Sequence, residues 1–534
     1  MFLLIVKFVK NGASFRQAAK HVESVKEVSG DGAYIGCSEG LCARFIRAVA
    51  AANYQAIHDV LQNSWTFSIA IDCGNKLGVN YLDVRVRVYA AGDLQNLHIL
   101  AIPFHERKTA ANLFNLLERV LDILHPNWRN FIIGFTSDGE PTMTGHVGGV
   151  GVRFNQAATL PIYRFWCALH QLDLDIQAEY ENYLNENFIN QMNALIGYLR
   201  RQQNLHTQMG SICPRFVSTR WAGIEKVLTW LADNKVTVFN WLQQKQPACT
   251  PGSHWWVLMI ALHKVAGEVL RVVKACQGMK TLISQQKARF LELKRRLEGL
   301  FPLEIDTEDL FFPIPDHVDT KNEIPIVCQG YKTNVSAVRE FIGELGMFVD
   351  DRMSELEEGE ISAVYDSVGK LVCGLVGRLT RLLVIPELNE HEVPPCTPQE
   401  LVEMKRSEFS NLIRKNKPRL LEAGWGEENI DEIDDQMGLL REKYKNEVGF
   451  KAVIDSLNDH SNFQQSWTDP QLQNFGKLKT FCGGLATVMP TTAPVESDFS
   501  KIGFVKNDYR QSLTDFSLEG CLQCLQFEEL NKVK

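Results

Sequence analysis

Two aspartates stand at the ends of apolar runs that read as strands. Asp72 lies in FSIAIDC, residues 67–73, and Asp138 follows FIIGF, residues 131–135. In a mixed sheet, neighbouring strand ends bring two such carboxylates to one edge. With a third carboxylate from a helix they hold two Mg²⁺ ions, which activate an attacking water and stabilise the leaving oxygen of a phosphodiester. The ordinary role of a strand-end Asp is a turn or cap, and Ser137-Asp138-Gly139 is also a good β-turn. A third acid, Glu496, lies in PTTAPVESDFS, residues 490–500, where the helix dipole favours an acid in the first turn. Spacing alone does not link Glu496 to Asp72, more than 400 residues away. Cys167 and His170 would share one helix face as half a zinc site. No second ligand pair lies at a suitable spacing, so core packing with a hydrogen-bonded imidazole is the ordinary reading. Trp221, in Ser218-Thr219-Arg220-Trp221, reads as a core aromatic or a DNA wedge. Cys521-x-x-Cys524 stands alone and reads as structural. The 13 cysteines are odd in number and irregular in spacing, which points to free thiols in a reducing compartment.

These residues need elements to position them. Residues 1–60 have helical periodicity. The period then changes. FSIAIDC is a strand; YLDVRVRVY, residues 81–89, alternates with Leu82, Val84, Val86 and Val88 on one face; residues 97–103 form a third run. Gly74, Asn75, Gly78 and Asn80, then Ala91-Gly92-Asp93, supply the turns of an antiparallel meander. A helix is predicted over 109–124, then strands at 131–135 and 162–166. That order is an α/β sheet of mixed direction. Residues 186–480 read as helical, clearest at 228–242 and 255–273, with Ser253 as the N-cap of the second. The Pro-rich acidic stretch 301–325 reads as a long loop, and a second break falls at 386–398. No internal repeat or low-complexity tract is present.

The 534 residues carry a formal net charge of -8, 45% hydrophobic and 22% charged residues. Such a composition excludes a disordered or collagen-like chain and predicts several domains. No apolar run reaches the roughly 18 residues that cross a bilayer. The opening MFLLIVKFVK reads as an internal element rather than a signal peptide, because its lysines follow a short apolar run. A charge of -8 argues against nucleic acid until it is divided. Residues 191–300 hold 16 Lys/Arg against 5 Asp/Glu, and residues 301–360 hold 4 against 15. The first block, which includes Lys294, Arg295 and Arg296, is either a phosphate-attracting stripe or a set of solvated helix faces.

Taken in order, these pieces resemble the hAT superfamily of DNA transposases and proteins derived from them. The motifs are Asp72 before a β-hairpin, the turn His105-Glu106-Arg107-Lys108-Thr109-Ala110, Thr136-Ser137-Asp138-Gly139, CALHQLDL from Cys167, Thr219-Arg220-Trp221, and PVESDFS around Glu496. They span about residues 60–230 and 480–534. The resemblance implies a ribonuclease-H-like mixed α/β core split by a large all-α insertion. Its divisions are an N-terminal helical segment (1–60), the first part of the core (61–185), the insertion (186–480), and the last core helices with a dimerisation region (481–534). It implies Asp72, Asp138 and Glu496 as catalytic ligands of Mg²⁺ or Mn²⁺, which cut double-stranded DNA for transposition. Cys167, His170 and Trp221 would support the site. Arg220, Lys294, Arg295 and Arg296 would meet the DNA backbone. A nuclear homo-oligomer with no membrane or small-molecule partner is implied as well. Two departures stand out. Cys37 and Cys42 have no partners at the spacing of the BED-type zinc finger that usually precedes this core, so truncation or a loss of DNA specificity is implied. Gly74 stands where the family often has Trp. The alternatives are a non-catalytic DNA- or protein-binding regulator on the same fold, and an actin- or sugar-kinase-type ATPase using Asp72-Cys73-Gly74-Asn75 with Gly483-Gly484.

Overall fold

A computed structural model describes residues 1–30, 36–216, 223–306, 325–384, 393–457, 461–507 and 513–533. Three helices open the chain, α1 (Phe2–Lys10), α2 (Phe15–Ser29) and α3 (Glu39–Gln62). Ser14 and Ser38 cap α2 and α3, each hydroxyl accepting a first-turn N–H. The meander follows as β1 (Phe67–Lys76), β2 (Val79–Ala90) and β3 (Asp93–Phe104). Its two turns, Leu77-Gly78 and Ala91-Gly92, hold positive φ at both positions. That geometry matches the twist of the flanking strands. Then come α4 (Ala110–Leu124), β4 (Ile132–Ser137) and β5 (Tyr163–Trp166). The five strands form one sheet of order β3-β2-β1-β4-β5. The meander pairs are antiparallel, while β1 with β4 and β4 with β5 are parallel. The mixed α/β sheet is therefore present.

The helices that follow are α5 (Ala168–Leu199), α6 (Ile224–Asp233), α7 (Lys235–Lys245), α8 (Ser253–Cys276), α9 (Ile283–Glu298) and α10 (Glu358–Val384). The run expected as one helix over 228–242 breaks at Asn234. Its side-chain amide donates to the Trp230 carbonyl at 2.8 Å, a local bond that competes with the helix. Ser253 is the first residue of α8 rather than its cap, and its hydroxyl donates to Glu355. The later helices are α11 (Arg406–Glu422), α12 (Glu427–Asn446), α13 (Gly476–Leu485), α14 (Ala493–Val505) and α15 (Asp515–Val533).

The chain divides into two compact units. One comprises Met1–Ala168, Gln277–Gln286 and Glu390–Lys534; the other comprises Leu169–Cys276 and Lys287–Asn389. The region 186–480, read from sequence as a single insertion, is thus shared between them. Helices α11 to α13 belong to the sheet unit because Phe409, Ile413, Ile433 and Phe481 share a core with Trp65, Ile133 and Phe165. The expectation of an all-α insertion is also corrected. The second unit contains a three-stranded antiparallel sheet of Glu304–Ile305, Ile326–Cys328 and Tyr331–Thr333. Gln329-Gly330, both at positive φ, turns its hairpin. Such short strands leave little periodicity to read. Most of the 301–325 stretch (307–324) and much of the 386–398 break (385–392) lie outside the described residues. Among the described residues no helix is long and apolar enough to cross a membrane.

The two faces of the five-stranded sheet differ in chemistry. Phe67, Ile69, Ile71, Leu82, Val84, Val86, Val88 and Ile99 form an apolar face against α3 and α4. The opposite face carries Ser68, Asp72, Asp83, Arg85, Arg87 and His98. Clean alternation usually marks a strand with one wet side, yet Asp83, Arg85, Arg87 and His98 are all buried. Arg87 donates to the Thr281 and Met279 carbonyls, at 2.9 and 2.7 Å, and fastens residues 277–286 to the sheet. Arg85 donates to Asp498 of α14 at 2.8 Å. His98 lies 3.2 Å from Asp498 and 3.3 Å from Glu519 of α15. The last two helices are thus held to the sheet by charge as well as by Val495, Ile502 and Leu518 in the apolar core beneath them.

Candidate active site

Parallel pairing of β1 with β4 sets Ala70 level with Thr136. Two residues further along each chain stand Asp72 and Asp138. The Asp72 carboxylate accepts the Cys73 N–H at 2.7 Å, and Asp138 accepts the Glu140 N–H at 3.3 Å. Gly139 allows this turn to pass Trp166 closely, since a Cβ at Gly139 would lie 2.2 Å from the indole. Gly139→Ala should therefore displace Asp138. We expect at least a tenfold loss of Mn²⁺ affinity by titration calorimetry and a stability loss of about 1–3 kcal/mol. Unchanged affinity would show that Asp138 is not held by this packing.

Glu496 reaches the same place by a different route. Residues 487–491 cross the polar face between α13 and α14. The Ser68 hydroxyl donates to the Thr487 carbonyl, and the Thr136 hydroxyl donates to the Met489 carbonyl at 2.6 Å. One anchor is on β1 and the other on β4, just behind the two aspartates. The Thr492 N–H then donates to the Cys167 thiol at 3.4 Å. Glu496 follows in the first turn of α14, with the Thr492 hydroxyl 3.4 Å from its carboxylate. Phe499 on the same helix covers Gly74, where a Cβ would meet the ring at 2.8 Å. The aromatic beside Asp72 is thus supplied by α14.

The other two acids act on Asp72. Burial raises the pKa of Asp72 most, and the charges of Asp138 and then Glu496 raise it further, to about 8. A carboxyl crowded as Asp72 is holds a proton that a divalent cation displaces. All-oxygen donors suit Mg²⁺ or Mn²⁺, so the residues fit the ions expected here. A linkage follows. The folded-state pKa of Asp72 lies above its unfolded value, so its contribution is fully present below about pH 4 and is lost as pH rises toward 8. Without metal, stability should fall across that window. Mn²⁺ should raise the melting temperature by several degrees more at pH 8 than at pH 6, and Asp72→Asn should abolish the difference. An equal metal effect at both pH values in the wild-type protein would refute the coupling.

One cation at this site was not singled out from sequence. Lys108 forms an ion pair with Glu140, and its charge also acts on Cys73 and Asp138. The turn His105–Ala110 contains it, but its nearness to Asp138 depends on how the sheet is assembled. Thr109 of that turn caps α4, accepting the Asn112 N–H at 3.3 Å.

The other expected residues are more dispersed. Cys167 is buried behind α14, whereas His170 is exposed on the first turn of α5 and is not the buried imidazole expected. Arg220 and Trp221 lie outside the described residues. Lys294, Arg295 and Arg296 are on α9 of the second unit. Lys294 pairs with Glu298 at 2.7 Å, and Arg296 pairs with Glu292 at 2.7 Å and Glu268 at 3.3 Å. Nearby acids therefore offset much of the basic run. Gly483 and Gly484 lie within α13, where any Cβ would strike Tyr89 or Trp65. Their small size serves close packing of a helix on the sheet rather than a phosphate loop. Cys521 and Cys524 are buried free thiols on α15. Neither a family model nor a curated protein matches this sequence.

Proposed function

We propose that the chain is a ribonuclease-H-like nuclease of the hAT transposase type, or a protein derived from one. In this reading two Mg²⁺ or Mn²⁺ ions supply Lewis acidity and a lowered water pKa when bound. Asp72, Asp138 and Glu496 hold them, Thr492 steadies Glu496, and Lys108 offsets charge at the rim. The observation that carries the reading is the convergence of these acids, whose charges act on Asp72 from two other elements. The strand order, with three antiparallel strands followed by two parallel ones, supports it. Double-stranded DNA is the proposed substrate, acted on in the nucleus by a homo-oligomer. The ion pairs of Lys294 and Arg296 leave less free charge for phosphate than the sequence suggests, so α9 is a secondary candidate for contact. The test is nicking of duplex DNA in Mn²⁺ and Mg²⁺ by the wild-type protein and by Glu496→Gln. Loss of nicking in the variant supports the proposal. No metal-dependent nicking by either protein, on several DNA ends, leaves the non-catalytic binding role as the better account.

A further inference from the structure

A second group of ligands lies on the polar face of the same sheet. Asp83 of β2, His98 of β3 and Asp498 of α14 are all buried, with one ligand atom from each lying within 4.8 Å of the others. His98 Nδ1 is 3.2 Å from Asp498 Oδ2 and 3.5 Å from Asp83 Oδ1. These spacings approach the ligand–ligand edge of about 3.4 Å expected for Zn²⁺ bonds of roughly 2.0–2.1 Å. On the other side of the ring, His98 Nε2 faces Glu519 at 3.3 Å. Glu519 also accepts the Ala101 N–H at 2.9 Å and an amide hydrogen of Gln523 at 2.7 Å, so it is fixed in place. A carboxylate taking the Nε2 proton directs the Nδ1 lone pair toward Asp83 and Asp498. That is the usual outer support of a metal-bound imidazole.

Asp83 provides the independent observation. Its side chain is wholly buried, and neither carboxylate oxygen has a hydrogen-bond partner. Asp498 is well supplied by contrast, with Arg85 at 2.8 Å and Lys501 at 2.9 Å on Oδ1 and the Arg85 Nε at 2.5 Å on Oδ2. A proton on His98 Nδ1 is directed at Asp498 and leaves Asp83 without a donor. A buried carboxylate in that condition is costly. A cation between the three groups serves both acids at once, and two open oxygens allow Asp83 to bind through either or both.

We propose that Asp83, His98 and Asp498 form a buried structural site for a transition-metal ion of the Zn²⁺ type, adjoining the group of Asp72, Asp138 and Glu496 through the Asp72–Asp83 strand pair but sharing no residue with it. The mixture of one imidazole nitrogen and carboxylate oxygens favours such an ion over Mg²⁺. Its role is to tie α14 to β2 and β3. The inference does not depend on the nuclease reading.

The test uses untagged full-length protein carrying Asp72→Asn and Glu496→Gln, so that the group of Asp72, Asp138 and Glu496 contributes no competing site. The protein is stripped with chelator and titrated with Zn²⁺ alone. The expected result is one equivalent bound, with an imidazole ligand detected by X-ray absorption. Adding Glu519→Gln, which leaves all three ligands in place, should weaken binding roughly 10- to 100-fold. Adding Asp83→Asn should weaken it further. Absence of stoichiometric Zn²⁺ in the parent protein overturns the proposal and leaves His98 as a protonated hub. Undiminished affinity in the Glu519→Gln and Asp83→Asn proteins overturns it too. Should Asp83→Asn not fold, the parent stoichiometry and Glu519→Gln decide.

Discussion

Glu496→Gln should reduce metal-dependent DNA nicking by about 10³-fold, or some 4 kcal/mol of transition-state stabilisation. The change keeps the size of the side chain and removes one anionic ligand. The side chain is half-exposed in the first turn of α14, and its contact with the Thr492 hydroxyl is a long one at 3.4 Å. The variant should also unfold no more easily than the wild type in the absence of metal. Asp72 is forced upward in pKa partly by Glu496, so removing that charge relieves repulsion. Lost activity with unchanged or raised apo-protein stability is the signature of an acid retained for chemistry. If the variant melts well below the wild type, Glu496 is a structural residue and the assignment fails.

Arg85→Met should be the most damaging single change to the sheet unit. Breaking a buried ion pair by removing one partner costs about 3–5 kcal/mol, because the other charge remains in the interior. Arg85 and Asp498 are both buried, and burial would raise the Asp498 pKa were it not for hydrogen bonds from His98 and Arg85 that hold it far below the usual range. A suitable control is Arg406→Met. Arg406 is paired with Asp434 at 2.7 Å but is exposed, and such pairs contribute at most about 1 kcal/mol. Urea unfolding followed by tryptophan fluorescence compares the two variants. Similar losses in both would show that the Arg85 pair does not secure α14.

The sequence carried the sheet clearly and the polar network hardly at all. The apolar positions of YLDVRVRVY, the positive-φ turns and the strand-end aspartates are local signals, and local signals survive in a linear reading. The fate of Asp83, Arg85 and Arg87 is not local. Arg85 meets a partner 413 residues away, and Arg87 meets carbonyls 194 and 192 residues away. Alternation shows which residues share a face, but not whether water or a helix lies above it. Glu496 was placed at a helical start by its surroundings, and its link to Asp72 came only from resemblance. The small sheet of the second unit went unread because two- and three-residue strands have too few positions to display a period. For the basic block, a tally of charges does not show that Lys294 and Arg296 each pair with a Glu one turn away on the same helix.

The bonds from Ser68 and Thr136 to residues 487 and 489 also bear on how the protein is made. At 5–20 residues per second, the ribosome needs roughly 20 to 80 seconds to travel from Asp72 to Glu496. Throughout that interval the sheet's charged face has neither its cover nor its last acid. A chain released early would therefore lack both the cover of the sheet and the third acid. Placing Glu496 on the helix that also covers the sheet ties completion of the three-acid group to completion of the fold.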